Sequence, residues 1–133
     1  MSDSLPKDGC LIAIVDDEPA LRMVFSLALK TAGYEAVTFK GGMEFLSYPD
    51  IESIKAIIVD LRMPGIDGLS MLGQLYEKKR SIPAILCSAN ITSEIEEQAA
   101  GLGVTTLLHK PVPAQKLRDA VAQTLTGRMP SGY

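Results

Sequence analysis

At 133 residues the chain can bury one hydrophobic core but is too short for two ordinary domains. Its 47% hydrophobic and 22% charged residues are those of a globular chain, and a formal net charge of -3 excludes the basic excess that marks a nucleic-acid binder. No apolar run is long enough to cross a bilayer, and Met1 to Gly9 is polar and acidic where a signal peptide needs a basic start and an apolar centre. The expectation is a cytoplasmic protein with no direct nucleic-acid or membrane partner.

Residues 1–8, with Pro6, read as a flexible arm. Cys10 to Val15 is a continuous apolar run, predicted as a strand buried on both faces, and it ends in Asp16, Asp17 and Glu18. Pro19 suits a first helical turn, and Leu21, Val24, Phe25, Ala28, Leu29 and Ala32 then recur at helical spacing until Gly33. Tyr34 to Phe39 reads as an edge strand with Val37 and Phe39 on one face. Gly41-Gly42 opens a short helix with Met43, Phe45 and Leu46 as its apolar face, closed by Pro49-Asp50.

Ile57 to Val59 continue an apolar run that stops at Asp60, followed by the turn Met63-Pro64-Gly65. Asp67 is a plausible helix cap, with Leu69, Leu72 and Tyr76 predicted to face inward on a helix that ends at Lys78-Lys79-Arg80. Ile82 to Cys87 is the fourth strand, ending at Ser88, and Ser93 with Glu96 matches the spacing of a capping box at the next helix start. Ile95, Ala99 and Leu102 are the apolar residues available to anchor that helix. Val104 to Leu108 is the fifth strand, followed by His109-Lys110-Pro111 and a last helix with Leu117, Ala120, Val121 and Leu125 inward. One domain over residues 9–127 and a tail over 128–133 are expected; so short a tail carries no output domain, whether the unit is stand-alone or excised.

Strands alternating with helices predict an α/β fold with a parallel sheet covered on both faces. Parallel strands present their carboxyl ends at one edge, where ligands bind in open α/β sheets. Asp16, Asp17, Asp60, Ser88 and Lys110 should therefore converge. Crowded carboxylates repel, and a divalent cation that prefers oxygen ligands, such as Mg²⁺, neutralises them. A carboxylate can then attack a phosphoryl donor to give an acyl phosphate, its developing charge met by Mg²⁺, an ammonium and a hydroxyl. Singly, each residue has an ordinary explanation: acids begin turns and helices, and a serine or lysine at a strand end is commonplace. Together they mark four strand ends in one order. Cys10 and Cys87 adjoin apolar runs and read as reduced, buried thiols, and His109 has no partner that would make it a ligand.

The set Asp16-Asp17, Asp60 with Met63-Pro64-Gly65, Ser88-Ala89 and Lys110-Pro111 resembles the receiver domains of two-component response regulators. The resemblance implies a doubly wound, flavodoxin-like sheet of five parallel strands in the order 2-1-3-4-5, and a regulatory phosphoacceptor domain rather than an enzyme. It implies that Asp60 receives a phosphoryl group from a phosphohistidine on a histidine kinase or a histidine phosphotransfer protein. Asp17, with Asp16 through water, would hold Mg²⁺ beside Asp60 and the main-chain carbonyl of Arg62. Ser88 would bond a phosphoryl oxygen, Lys110 would pair with the phosphoryl group, and the Lys110–Pro111 peptide would be cis. Arg62 and Asn90 occupy positions that in the family influence the lifetime of the acyl phosphate. The partner is expected to dock on the first helix near Arg22 and Met23.

One position departs from the family: Leu107 stands where receivers usually carry the aromatic residue that reports phosphorylation. Output is therefore expected to use backbone and helix shifts. A degenerate receiver acting as an unphosphorylated interaction or dimerisation module is the main alternative. A Mg²⁺-dependent aspartyl-phosphate phosphatase is disfavoured because Arg62 stands where a second acid would be needed. A dinucleotide-binding module is weaker still, because the acidic turn after the first strand has no glycines to admit a pyrophosphate.

Overall fold

The apolar run that ends in Asp60 lies where continuous hydrophobicity requires, in the middle of a sheet. The structure, a computed structural model, describes residues 10–127. The flexible arm and the tail expected from the sequence lie outside the described residues.

Five parallel strands, β1 (Leu11–Val15), β2 (Glu35–Phe39), β3 (Ile54–Asp60), β4 (Ala84–Ser88) and β5 (Val104–His109), pair in the order β2-β1-β3-β4-β5. This is the flavodoxin-like arrangement expected. The strand order reverses beside β1 and β3, the topological switch point at which such sheets open a crevice. β2 is an edge strand, and its Phe39 is buried while Glu35 and Thr38 are exposed, in keeping with its mixed polarity.

Helices cover both faces. α1 (Pro19–Thr31) and α5 (Ala114–Thr126) pack Phe25, Leu29, Leu117 and Val121 against Ile12, Ile14 and Ile58. α2 (Gly42–Leu46), α3 (Gly68–Glu77) and α4 (Ser93–Ala100) pack Phe45, Met71, Leu72, Leu75 and Ala99 against Ala13, Val15, Ile57 and Val59. Each fully buried Val, Leu, Ile, Phe or Met side chain among them contributes about 1.5–3 kcal/mol. These two apolar layers hold the sheet rigid beneath its carboxyl edge.

Three residues predicted to face inward are instead exposed: Val24 at 49%, Met43 at 58% and Tyr76 at 66%. In α1 the buried stripe is Phe25, Ala28 and Leu29, and Val24 lies about 100° around the helix from Phe25. In α3 the inward stripe is Gly68, Met71, Leu72 and Leu75, which turns Tyr76 to the flank. α2 is a short helix that buries Gly42 and Phe45, leaving Met43 outside. The cap of α4 also differs from expectation. Thr92, in extended backbone, is the N-cap and accepts a hydrogen bond from the Ile95 N–H at 3.2 Å, so Ser93 is already helical. Three residues beyond Thr92 is Ile95, not an acid, and no capping box forms there. At α3 the expected cap is present, with Asp67 accepting from the Ser70 N–H at 2.8 Å.

Candidate phosphoacceptor site

Asp16, Ser88 and Lys110 lie at or just past the ends of β1, β4 and β5, and Asp60 is the last residue of β3. Backbone bonds continue the ladders beyond the strands and fix these ends in space. The Asp16 N–H donates to the Phe39 carbonyl at 3.1 Å, Leu61 N–H to Cys87 at 2.9 Å, and Lys110 N–H to Ser88 at 2.9 Å. The candidate side chains of Asp16, Asp60, Ser88 and Lys110 therefore start from peptides bonded to a neighbouring strand.

Asp16, Asp17 and Asp60 each offer a carboxylate oxygen, and these atoms lie within 4.8 Å of one another. Asp16 and Asp60 are 2% and 7% exposed, whereas Asp17 is exposed. Lys110 supplies the countercharge: its Nζ is 3.0 Å from Asp60 Oδ1 and 3.2 Å from Asp16 Oδ2. Glu18 Oε1 lies farther from it, at 3.9 Å. The Lys110–Pro111 peptide is cis. Asp16 is engaged through both oxygens, because its Oδ1 also accepts from the Glu18 N–H at 2.9 Å.

Burial is the largest influence on Asp60 and raises its pKa above the usual carboxylate value; the charges of Asp16 and Asp17 add to it, and Lys110 opposes it. For Lys110, burial pulls the pKa down, but the bond to Asp60 and the charges of Asp16 and Asp60 together raise it above the usual lysine value. The ammonium is thereby kept charged.

Ser88 is 1% exposed, and its hydroxyl turns to its own loop: it donates to the Asn90 carbonyl at 3.2 Å and accepts from the Asn90 N–H at 3.1 Å. Arg62 has an exposed side chain and, with Met63 to Asp67 and Ser70, lines an open pocket of about 590 Å³ beside the site. Leu107 is half-buried against the α2–α3–α4 face of the core, and His109 is exposed. Cys10 and Cys87 form no disulfide; Cys10 is half-buried, and burial pushes the Cys87 thiol up to about 12.

The structure adds Gly68 to the residues read from the sequence. A Cβ there would lie 2.6 Å from the Asp60 carbonyl oxygen and 3.1 Å from Leu86, and the Gly68 N–H donates to the Leu61 carbonyl at 2.9 Å. Only glycine lets α3 start this close to the end of β3. Gly65 serves the same loop differently, turning the chain at φ +86, a left-handed conformation that side chains rarely adopt. The Met-Pro-Gly turn signalled the loop; nothing in the local sequence signalled the contact at Gly68.

The three carboxylates are hard oxygen donors close enough together to share one small divalent cation, which fits Mg²⁺. Among known families, the response regulator receiver domain model matches residues 12–122. The sensory/regulatory protein RpfC of Xanthomonas campestris pv. campestris is 37% identical over 113 residues, which cover 82% of this chain and 16% of that protein. The C4-dicarboxylate transport transcriptional regulatory protein DctD of Pseudomonas aeruginosa is 31% identical over 129 residues, which cover 96% of this chain and 28% of that protein. The chain thus spans less than a third of the length of either relative. The crystal structure of a response regulator receiver protein from Pseudomonas putida matches with a TM-score of 0.77 at 31% identity, covering 86% of this chain and 96% of that one.

Proposed function

The chain belongs to the response regulator receiver family, and from that premise we propose that it is a phosphorylation-operated switch whose phosphoacceptor is Asp60. The observation that carries the reading is Lys110 Nζ bridging Asp60 and Asp16 at 3.0 and 3.2 Å inside the three-carboxylate cluster. A structural salt bridge needs one acid; three acids around one lysine leave negative charge for a cation to neutralise. We assign the receiver domain to residues 9–127 and its location to the cytoplasm, with a histidine kinase or histidine phosphotransfer protein as donor. The exposed Met23, Val24 and Leu27 of α1, the helix that follows the acidic turn, are the docking surface this reading favours.

In the transfer, an Asp60 carboxylate oxygen forms a bond to phosphorus as the P–N bond of the donor phosphohistidine breaks and its electron pair returns to the imidazole. Asp17, Asp60, the Arg62 carbonyl and, through water, Asp16 would hold Mg²⁺, which supplies charge neutralisation at the phosphoryl oxygens. Lys110 stays protonated and moves its ammonium from the free carboxylate towards a phosphoryl oxygen. Ser88 gives up its bonds to Asn90 to donate to another. Leaving Asn90 loosens the loop before α4, a route to the protein surface that needs no aromatic ring at Leu107. The covalent change in charge then biases a two-state surface that a downstream partner reads.

Intact-mass measurement after incubation with Mg²⁺ and acetyl phosphate tests this. One added phosphoryl group, lost both in D60N and without metal, is the expected result. Failure to label with both acetyl phosphate and an authentic partner kinase would replace the reading with an unphosphorylated interaction module.

A further inference from the structure

We propose that Arg22 is a positioning residue for the acidic turn after β1, pinning the peptide that joins Asp16 to Asp17. The proposal rests on the reading of that turn as part of a Mg²⁺ site. Arg22 lies one turn into α1 and is half-buried, and its Nη1 donates to the Asp16 carbonyl oxygen at 2.8 Å. That carbonyl belongs to the same peptide plane as the Asp17 nitrogen, so its direction sets where the Asp17 side chain leaves the main chain.

The support is needed at this point in the chain. The β1–β2 ladder ends with Val15 opposite Phe39, so the Asp16 carbonyl lies beyond the last strand pair. Lys110 restrains Asp16 and Asp60 through their side chains. Asp17 is exposed, and the like charges of the two carboxylates within 4.8 Å of its own repel it. Its placement depends on its backbone. The Arg22 side chain acts there together with two bonds donated by main-chain amides, Glu18 N–H to the Asp16 side-chain Oδ1 at 2.9 Å and Arg22 N–H to the Glu18 carbonyl at 3.1 Å.

Charge and geometry make opposite demands on Arg22, which makes the proposal sharp. As a bare positive charge near the acids, Arg22 would repel a cation, and its removal would tighten Mg²⁺ binding. As a positioning group, its removal must weaken it. The experiment is a Mg²⁺ titration at constant ionic strength, followed by the amide NMR shifts of Asp16, Asp17 and Glu18, on the wild type, R22M and R22K. Urea unfolding of each without metal checks that the fold persists. R22M is expected to bind Mg²⁺ about tenfold more weakly, the size typical of losing a group that orients metal ligands. R22K keeps a donor and should recover part of that loss. Unchanged or tighter binding in R22M would overturn the proposal, as would a loss that R22K does not reduce, since that would trace to packing of α1. A wild type whose turn gives no Mg²⁺-dependent shifts would instead overturn the metal-site reading itself, and the proposal with it.

Discussion

The two edges of the sheet are built to different rules. At the amino edge, Leu72, Leu75, Ile82, Pro83 and Leu102 line an open groove of about 740 Å³, and Arg80 at its rim is paired with Glu52. At the carboxyl edge lie Asp16, Asp60 and Ser88, which with Thr124 make up the buried polar and charged residues among those described. Thr124 is satisfied by Thr105 at 2.7 Å, an ordinary neutral pair. The carboxyl edge instead concentrates like charges. One edge is held by apolar contact, and the other carries electrostatic strain that the rest of the fold must offset.

The comparison predicts where substitutions will hurt. The largest effect belongs to the apolar side: Leu72→Ala should lower stability by about 2–5 kcal/mol, read as a fall in the urea midpoint, because Leu72 is 2% exposed and its loss leaves a cavity. A loss well under that range would mean that the groove it lines already lets this part of the core relax. Gly68→Ala comes next. Its new Cβ would meet the Asp60 carbonyl oxygen at 2.6 Å, backbone that cannot move without moving the site. Overpacking of this kind costs about 1–3 kcal/mol, and labelling of Asp60 by acetyl phosphate should fall more steeply than stability does. Equal labelling in the variant and the wild type would mean that the β3–α3 junction tolerates the shift.

At the acidic edge the expected sign is reversed. The folded state raises the pKa of Asp60, so folded protein holds that proton to higher pH than the unfolded chain does. Stability therefore falls as pH rises from about 3.9, the unfolded value, through the folded value, and the full penalty persists above it. Asp60→Asn should raise the stability of metal-free protein at neutral pH by roughly 1 kcal/mol, within the ordinary range of single substitutions. The gain should vanish below the ordinary carboxylate range, where Asp60 is protonated in both states. Lys110 acts oppositely: its contribution is present below about 10.4 and is lost as pH rises through its raised folded value. If D60N were destabilising at neutral pH, the Lys110 pair would outweigh the desolvation of Asp60, and the edge would not be strained.

The same contrast explains what the amino-acid sequence made legible. Burial on both faces leaves a continuous apolar run, so β1, β3 and β4 and the acids that end β1 and β3 could be read directly. The meeting of Asp16, Asp17, Asp60 and Lys110 then follows from parallel strands sharing an edge. Helix faces were less legible at their margins, because the stripes containing Val24 and Tyr76 are wider than the surface available to bury them. Gly68 was invisible because its reason is a backbone atom eight positions earlier in the chain. Arg22 was legible as a surface residue of α1, but its bond to the Asp16 carbonyl depends on how α1 leaves the turn. Ser88 was placed correctly at its strand end, yet its bonds to Asn90 are a local turn that competes with the role read for it.

The smallest expected effect lies where the acidic edge passes into α4. Thr92 caps that helix through a single side-chain bond at 3.2 Å, and Ala99 is the buried residue in α4. Thr92→Ala should cost about 0.5 kcal/mol, the low end for a lost N-cap on an exposed helix. Global unfolding will barely register it. Amide hydrogen exchange will, because a helix with so little burial opens locally before the sheet does. Faster exchange confined to the first turn of α4 would place the weakest part of the fold directly after the Ser88–Asn90 turn, where a shift of Ser88 towards a phosphoryl group could act on it. Exchange in α4 as slow as in α5, unchanged by the substitution, would mean that α4 is held more firmly than its burial implies, and that signal output must leave the site by another route.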